Sequence, residues 1–193
     1  MARSVTQALG SPQERTLDAT KQAALLVAAS LFVAVCAHIT IPLPFTPVPL
    51  TVQNFAVLLV GLMLGSRRGF AALALYLAEG AVGLPVFSPT GLPGVAHLLG
   101  PTGGYLLAYP FVAAVAGLIF DRGRKSFASA ALAGVLAEIL LFASGLAWLY
   151  ASTHSLARAA YLGLYWFVAA EVMKVMFAAA IASSWNRRVK SLA

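Results

Sequence analysis

Charge is scarce in this chain of 193 residues: 13 Lys and Arg with 6 Asp and Glu make up only 10% of it, against about 25% in ordinary soluble domains. A water-soluble globule is therefore not the expected class. Cysteine is nearly absent, Cys36 standing alone, so neither an internal disulfide nor a multi-cysteine metal site can form. The lone thiol reads as a small buried apolar residue. Histidine is also sparse, and His38, His97 and His154 lie too far apart to make a zinc set. The polar stretches that mark intrinsic disorder are missing as well.

What remains is apolar: 61% of the residues are hydrophobic. A membrane-spanning helix needs about 20 apolar residues, so six of them use roughly 120 to 140 and leave about 60 for loops and termini. The apolar runs and their breakers predict an all-α integral membrane protein with helices near 22–41, 50–66, 69–84, 101–120, 127–151 and 156–185. This divides the chain into a polar segment at 1–21, a six-helix domain at 22–185 and a basic tail at 186–193. The first twenty residues include Arg3, Glu14, Arg15 and Asp18 and lack the apolar core of a secretory signal, so no cleaved leader is expected.

Eleven of the 13 cations fall on one side of this arrangement, before the first helix, between the second and third, between the fourth and fifth, and after the sixth. The exceptions are Arg158, on the opposite side, and Lys174, inside the sixth helix. The positive-inside rule then puts both termini in the cytoplasm, in a cytoplasmic (inner) membrane. The net charge of +7 is explained by topology and lipid headgroups. Nucleic acid is not an expected partner, because the cations sit in short clusters without interleaved aromatics.

The loops facing the other way differ in composition. Residues 42–49 hold four prolines and residues 83–94 hold three, seven of the ten in the chain. Proline fixes φ and lowers the entropy lost on ordering. Such uncharged loops either pack down as caps over a cavity or lie in the membrane interface.

Several residues in the helices could carry chemistry. Glu171 and Lys174 sit three apart on one helical face, each expensive in lipid. They read as a structural ion pair or as a site where Lys174 meets an anion and Glu171 accepts N–H donors. The polar-tipped aromatics Tyr161, Tyr165 and Trp166 nearby favour the second reading. In Gly100-Pro101-Thr102-Gly103-Gly104-Tyr105, Gly100 suits a cap and Pro101 the first helical position, so the helix start is either an anion site or a tight packing point. Thr51, Gln53 and Asn54 follow the first proline loop; their polar groups serve a ligand edge or a neighbouring helix. Glu79 and Glu138 make a poor proton file without intramembrane histidine partners. Ser144 and His154 lack the glycine frame of a serine hydrolase, since Phe142 stands two before the serine. No enzymatic activity is expected.

The runs Val48-Pro49-Leu50-Thr51-Val52-Gln53, Gly65-Ser66-Arg67-Arg68-Gly69, Gly83-Leu84-Pro85-Val86-Phe87 and Gly100-Pro101-Thr102-Gly103-Gly104-Tyr105, in that order and spacing, resemble BioY, the biotin-binding S component of energy-coupling factor (ECF) vitamin transporters. The resemblance runs from about residue 24 to residue 180. It implies a six-helix S-component bundle that takes biotin from outside into a pocket capped by its loops. Under it, Gln53 and Glu171 meet the ureido group, Lys174 meets the carboxylate or pairs with Glu171, and Phe87, Tyr105, Tyr161 and Tyr165 enclose the rings. Gly100, Thr102 and Gly103 supply the helix-start contacts. It further implies a transmembrane coupling subunit, docking on Ala24, Ala28 and Ala34, and cytoplasmic ATPases as partners; no cofactor is implied beyond biotin as cargo. A homo-oligomer is equally compatible with the small-residue faces. The chain departs from the family pattern in having Ala169-Ala170-Glu171 where Pro-Gly-Asp is usual, and Leu106 where some members carry arginine. The alternatives are an S component for another small vitamin-like ligand and a non-transporting membrane assembly subunit.

Overall fold

The computed structural model describes residues 12–192, with side chains placed for 18–188. Most of the segment expected at 1–21 and the end of the tail at 186–193 thus lie outside the described side chains. The first helix, α1, runs Pro12–His38, starting earlier than expected because no glycine or proline interrupts residues 13–38. Past it the chain forms a small antiparallel hairpin, β1 (Thr40–Ile41) against β2 (Leu50–Thr51), with Thr40 opposite Thr51. The four-proline loop is the connection of that hairpin.

Helix α2 (Gln53–Leu64) and helix α3 (Ser66–Ala81) are separated by Gly65 alone, at φ +79°. Only glycine adopts that backbone without strain. A one-turn helix, α4 (Val95–Leu98), lies within the second proline-rich segment. Helix α5 covers Gly103–Arg122 and contains Pro110; helix α6 covers Phe127–Thr153. Ser126 caps α6 by accepting from the Ser129 amide, 3.2 Å away. The sixth expected helix is broken into α7 (Leu156–Gly163) and α8 (Val168–Leu192). Residues 164–167 turn the chain between them.

Among the described residues, four helical stretches are long and apolar enough to cross a bilayer: Asp18–His38, Gly103–Arg122, Phe127–Thr153 and Val168–Arg188. At about 1.5 Å per residue, α2 spans only about 18 Å and α3 about 24 Å, short of a hydrocarbon core of about 30 Å. Of the six helices expected, four are thus long and apolar enough to cross by themselves, the second and third form a short pair, and the sixth has its first two turns split off. The start of α5 is corrected. Thr102, not Gly100, is its cap, and Pro101 lies before the helix instead of at its first position.

Helix α5 is the hub, packed against α2, α3 and α6. Close approach is what the glycines provide. A Cβ on Gly61 would lie 2.4 Å from the Ala113 carbonyl oxygen, and one on Gly117 would lie 2.5 Å from the Ser66 amide nitrogen. Leu58, Leu73, Val112 and Phe120 are fully buried in the core that these helices share. Large apolar side chains such as Val35, Ile139 and Phe177 point outward, each at least 60% exposed. So much exposed apolar surface on several long helices fits lipid and not water, and the protein is a multi-pass membrane protein.

Candidate functional site

A cavity opens where α5 and α8 begin. The room inside it for the centre of a water molecule is about 60 Å³, within an envelope of about 570 Å³ that includes open solvent. Val48 and Pro49 of the first proline loop, Ser88 of the second and His97 of α4 roof it. Tyr105, Leu106 and Tyr109 of α5, Leu141 and Phe142 of α6, and Phe167 form apolar and aromatic walls. Gln53, Asn54 and Glu171 supply its buried polar side.

That polar side is a network built on one amide. Asn54 Nδ2 donates both to Glu138 Oε1 and to Glu171 Oε2, the latter at 2.6 Å. Lys174 Nζ donates to Glu171 Oε1 at 2.6 Å, the pair being almost wholly buried. The amide is placed with its nitrogen toward both carboxyl groups. Asn54 Oδ1 is consequently left buried without a protein partner, as is Glu138 Oε2. Buried acceptors without partners are uncommon.

The roof is tied down from both sides. Thr46 Oγ1 donates to the Leu162 carbonyl of α7 at 2.5 Å, and the Val48 amide donates back to Thr46 Oγ1 at 3.1 Å. Phe45 packs on Trp166 with ring centroids 4.3 Å apart, and Tyr161 meets the same indole edge-on at 5.5 Å. For the second loop, Gln53 Nε2 donates to the Tyr76 hydroxyl at 2.8 Å, which donates to the Val86 carbonyl at 3.0 Å. His97 Nδ1 lies 3.1 Å from the Leu92 carbonyl. Burial holds the His97 imidazole below its ordinary pKa, and the Leu92 carbonyl acts in the opposite sense.

Of the ten residues that the resemblance assigns to the ligand, Gln53, Thr102, Tyr105 and Glu171 line the cavity. Tyr105 also bridges elements, its hydroxyl donating to the Gly163 carbonyl at 2.7 Å. The other six lie elsewhere. Phe87 is buried behind the wall, packed on Gly80, Tyr76 and His97. The Gly100 carbonyl accepts from Trp148 Nε1 at 2.9 Å. Gly103 sits under the Leu98 carbonyl, where a Cβ would come within 1.9 Å. Lys174 reaches Glu171 from an apolar groove on the helix bundle's flank. Tyr161 and Tyr165 are exposed, because the break before α8 turns them outward. Ala24 and Ala28 are exposed on α1 while Ala34 is buried. Six residues advance a helix by about 600°, so Ala34 faces about 120° away from Ala28.

Sequence reasoning singled out Glu171 but not its partnership with Asn54 and Glu138. The available signal was a carboxyl deep in a long apolar helix, which has to meet another polar group. Ser144, the one serine weighed as a nucleophile, donates its hydroxyl to the Gly104 carbonyl at 2.7 Å. Among the described residues no group of three or more His, Cys, Asp or Glu could hold a metal.

Fold and site together define a multi-pass α-helical membrane protein with a chamber that is polar on one side and roofed by two proline-rich loops. The chain belongs to the BioY family, whose profile matches residues 6–191. Biotin transporter BioY of Thermotoga maritima is 37% identical over 158 residues, 81% of this chain and 92% of that one. A probable biotin transporter BioY of Pyrococcus horikoshii is 38% identical over 136 residues, 70% and 79% of the two chains. The fold matches the crystal structure of the S-component for biotin from an ECF-type ABC transporter, with a TM-score of 0.79 at 23% identity over 92% of this chain and 95% of that one. Membership of a transporter family assigns a role other than catalysis.

Proposed function

We propose that the chain captures biotin at the cell membrane as the substrate-binding S component of an ECF-type transporter. The observation that carries this reading is the buried polar side of the cavity: Asn54 and Glu171 both line it, and Asn54 Oδ1 is buried without a protein partner. Biotin offers a ureido group with two N–H donors, an apolar fused ring system and one carboxylate on an apolar chain. Its N–H groups meet Asn54 Oδ1 and Glu171, its rings lie against Tyr105, Tyr109, Phe142 and Phe167, and its carboxylate points to Thr102 at the start of α5. Thr102 makes no side-chain capping bond, and the helix start favours an anion. Lys174 acts by holding Glu171, and Phe87 and Tyr161 act by holding the loops.

The same reading has six helical elements in the membrane, the short pair α2 and α3 included, with both termini cytoplasmic by the distribution of cations. No phosphate-binding loop lysine motif occurs in the sequence, so ATP-driven release falls to cytoplasmic ATPases through a membrane coupling subunit, docking on the α1 face of Ala24 and Ala28. Equilibrium binding to the protein in mild detergent tests this. Biotin should bind saturably, desthiobiotin should compete because it keeps the ureido and carboxylate groups, and riboflavin should not. Asn54→Leu and Lys174→Ala should each weaken biotin by more than about tenfold, as expected when a charge-assisted or buried contact is lost. Folded protein without saturable biotin binding would overturn the proposal.

A further inference from the structure

At the end of the bundle opposite the cavity, a recess of about 500 Å³, open solvent included, lies between the α5–α6 turn and the last turns of α8. Arg124, Lys125 and Arg187 rim it, and Ser126, Phe127 and Asn186 complete its near wall. We infer that this recess binds the phosphate headgroup of an anionic phospholipid.

Depth supports a lipid source. Three of the four candidate spans terminate here, at Arg122, Phe127 and Arg188, which places the recess at the level of the headgroups. Phe127 in its wall, 40% exposed, offers apolar surface to the upper acyl chains, and Trp185, 57% exposed, precedes Asn186 on α8. Donors remain for a phosphate. Ser126 Oγ accepts from the Ser129 amide and so keeps its own proton to donate. Arg187 uses Nη2 on the Ser184 hydroxyl at 3.2 Å, leaving the rest of its fork. Asn186 commits one N–H to the Ala182 carbonyl and retains another. The nearby acid is Asp121, which pairs with Lys125 at 3.1 Å across a partly exposed gap. The surrounding charge therefore stays positive. A basic pocket between helices at an interface is the arrangement that recognises anionic lipid headgroups.

Thermal unfolding of the full chain in neutral detergent, with added dioleoylphosphatidylglycerol, dioleoylphosphatidylcholine or inorganic phosphate, tests the inference. The phosphatidylglycerol should raise Tm by about 5 °C at saturation, and the other two additions should not. Arg124→Gln/Arg187→Gln should lose most of that shift, while Arg67→Gln/Arg68→Gln, altering an exposed basic pair elsewhere, should keep it. Monodisperse elution of both variants checks that they fold. Any of four results overturns the inference: no shift in the unaltered chain, the same shift with inorganic phosphate, full retention by the first variant, or equal loss in the second.

Discussion

Asn54 occupies the centre of the buried polar network because its amide nitrogen donates to both Glu138 and Glu171. Asn54→Asp removes both donors and brings a third carboxyl to the spot. Hydrogen bonds to charged groups contribute about 1.5–3 kcal/mol each, so Tm should fall by at least about 5 °C in a detergent melt, with biotin binding lost in parallel. Lys174→Met should also destabilise, because it leaves Glu171 buried without its cation, a change that costs about 3–5 kcal/mol. That Glu171 and Gln53 line the cavity, and that Lys174 pairs with Glu171, is consistent with how a polar group stands out in an apolar run. The link from Asn54 to Glu138 was not legible in the sequence, as it joins positions 84 apart and leaves no trace in local periodicity. Tyr161 and Tyr165, close to Glu171 in sequence, are exposed, at the end of α7 and in the turn at residues 164–167.

Among the elements, the two proline loops and α7 decide whether the cavity is closed. The loops' composition foretold that they order; what they tie to depended on tertiary contacts such as Thr46 with Leu162. His97 makes closure sensitive to pH. Because burial favours its neutral ring, the unfolded chain takes up a proton first as pH falls through about 6.5. Stability of this loop is thus complete above that pH and declines as pH drops further towards the lower folded value. Biotin affinity should therefore weaken between about pH 7 and pH 5, and His97→Gln should flatten the profile measured by equilibrium binding. The wall is equally sensitive to volume. A Cβ on Gly145 would lie 2.1 Å from the Tyr105 ring, so Gly145→Val should displace that ring and abolish tight binding while α6 stays helical by circular dichroism.

For the molecule as a whole, the all-helical membrane class and the positions of the main breakers were readable from hydropathy. The length of α3 was also readable, at 16 residues, but α2 is shorter than expected, and its close contact with α5 through Gly61 is a property of packing and not of composition. Gly61→Val should separate α2 from α5 and leave little monodisperse protein by size-exclusion chromatography. The anchorage of the chamber has a kinetic meaning. The roof's Thr46 and the wall's Tyr105 grip the carbonyls of Leu162 and Gly163, neighbours on one short helix. If α7 tilts away, both grips are released in the same movement, so ligand entry and exit share one cooperative opening step, and a fluorescent reporter on α7 would follow both with a single exponential.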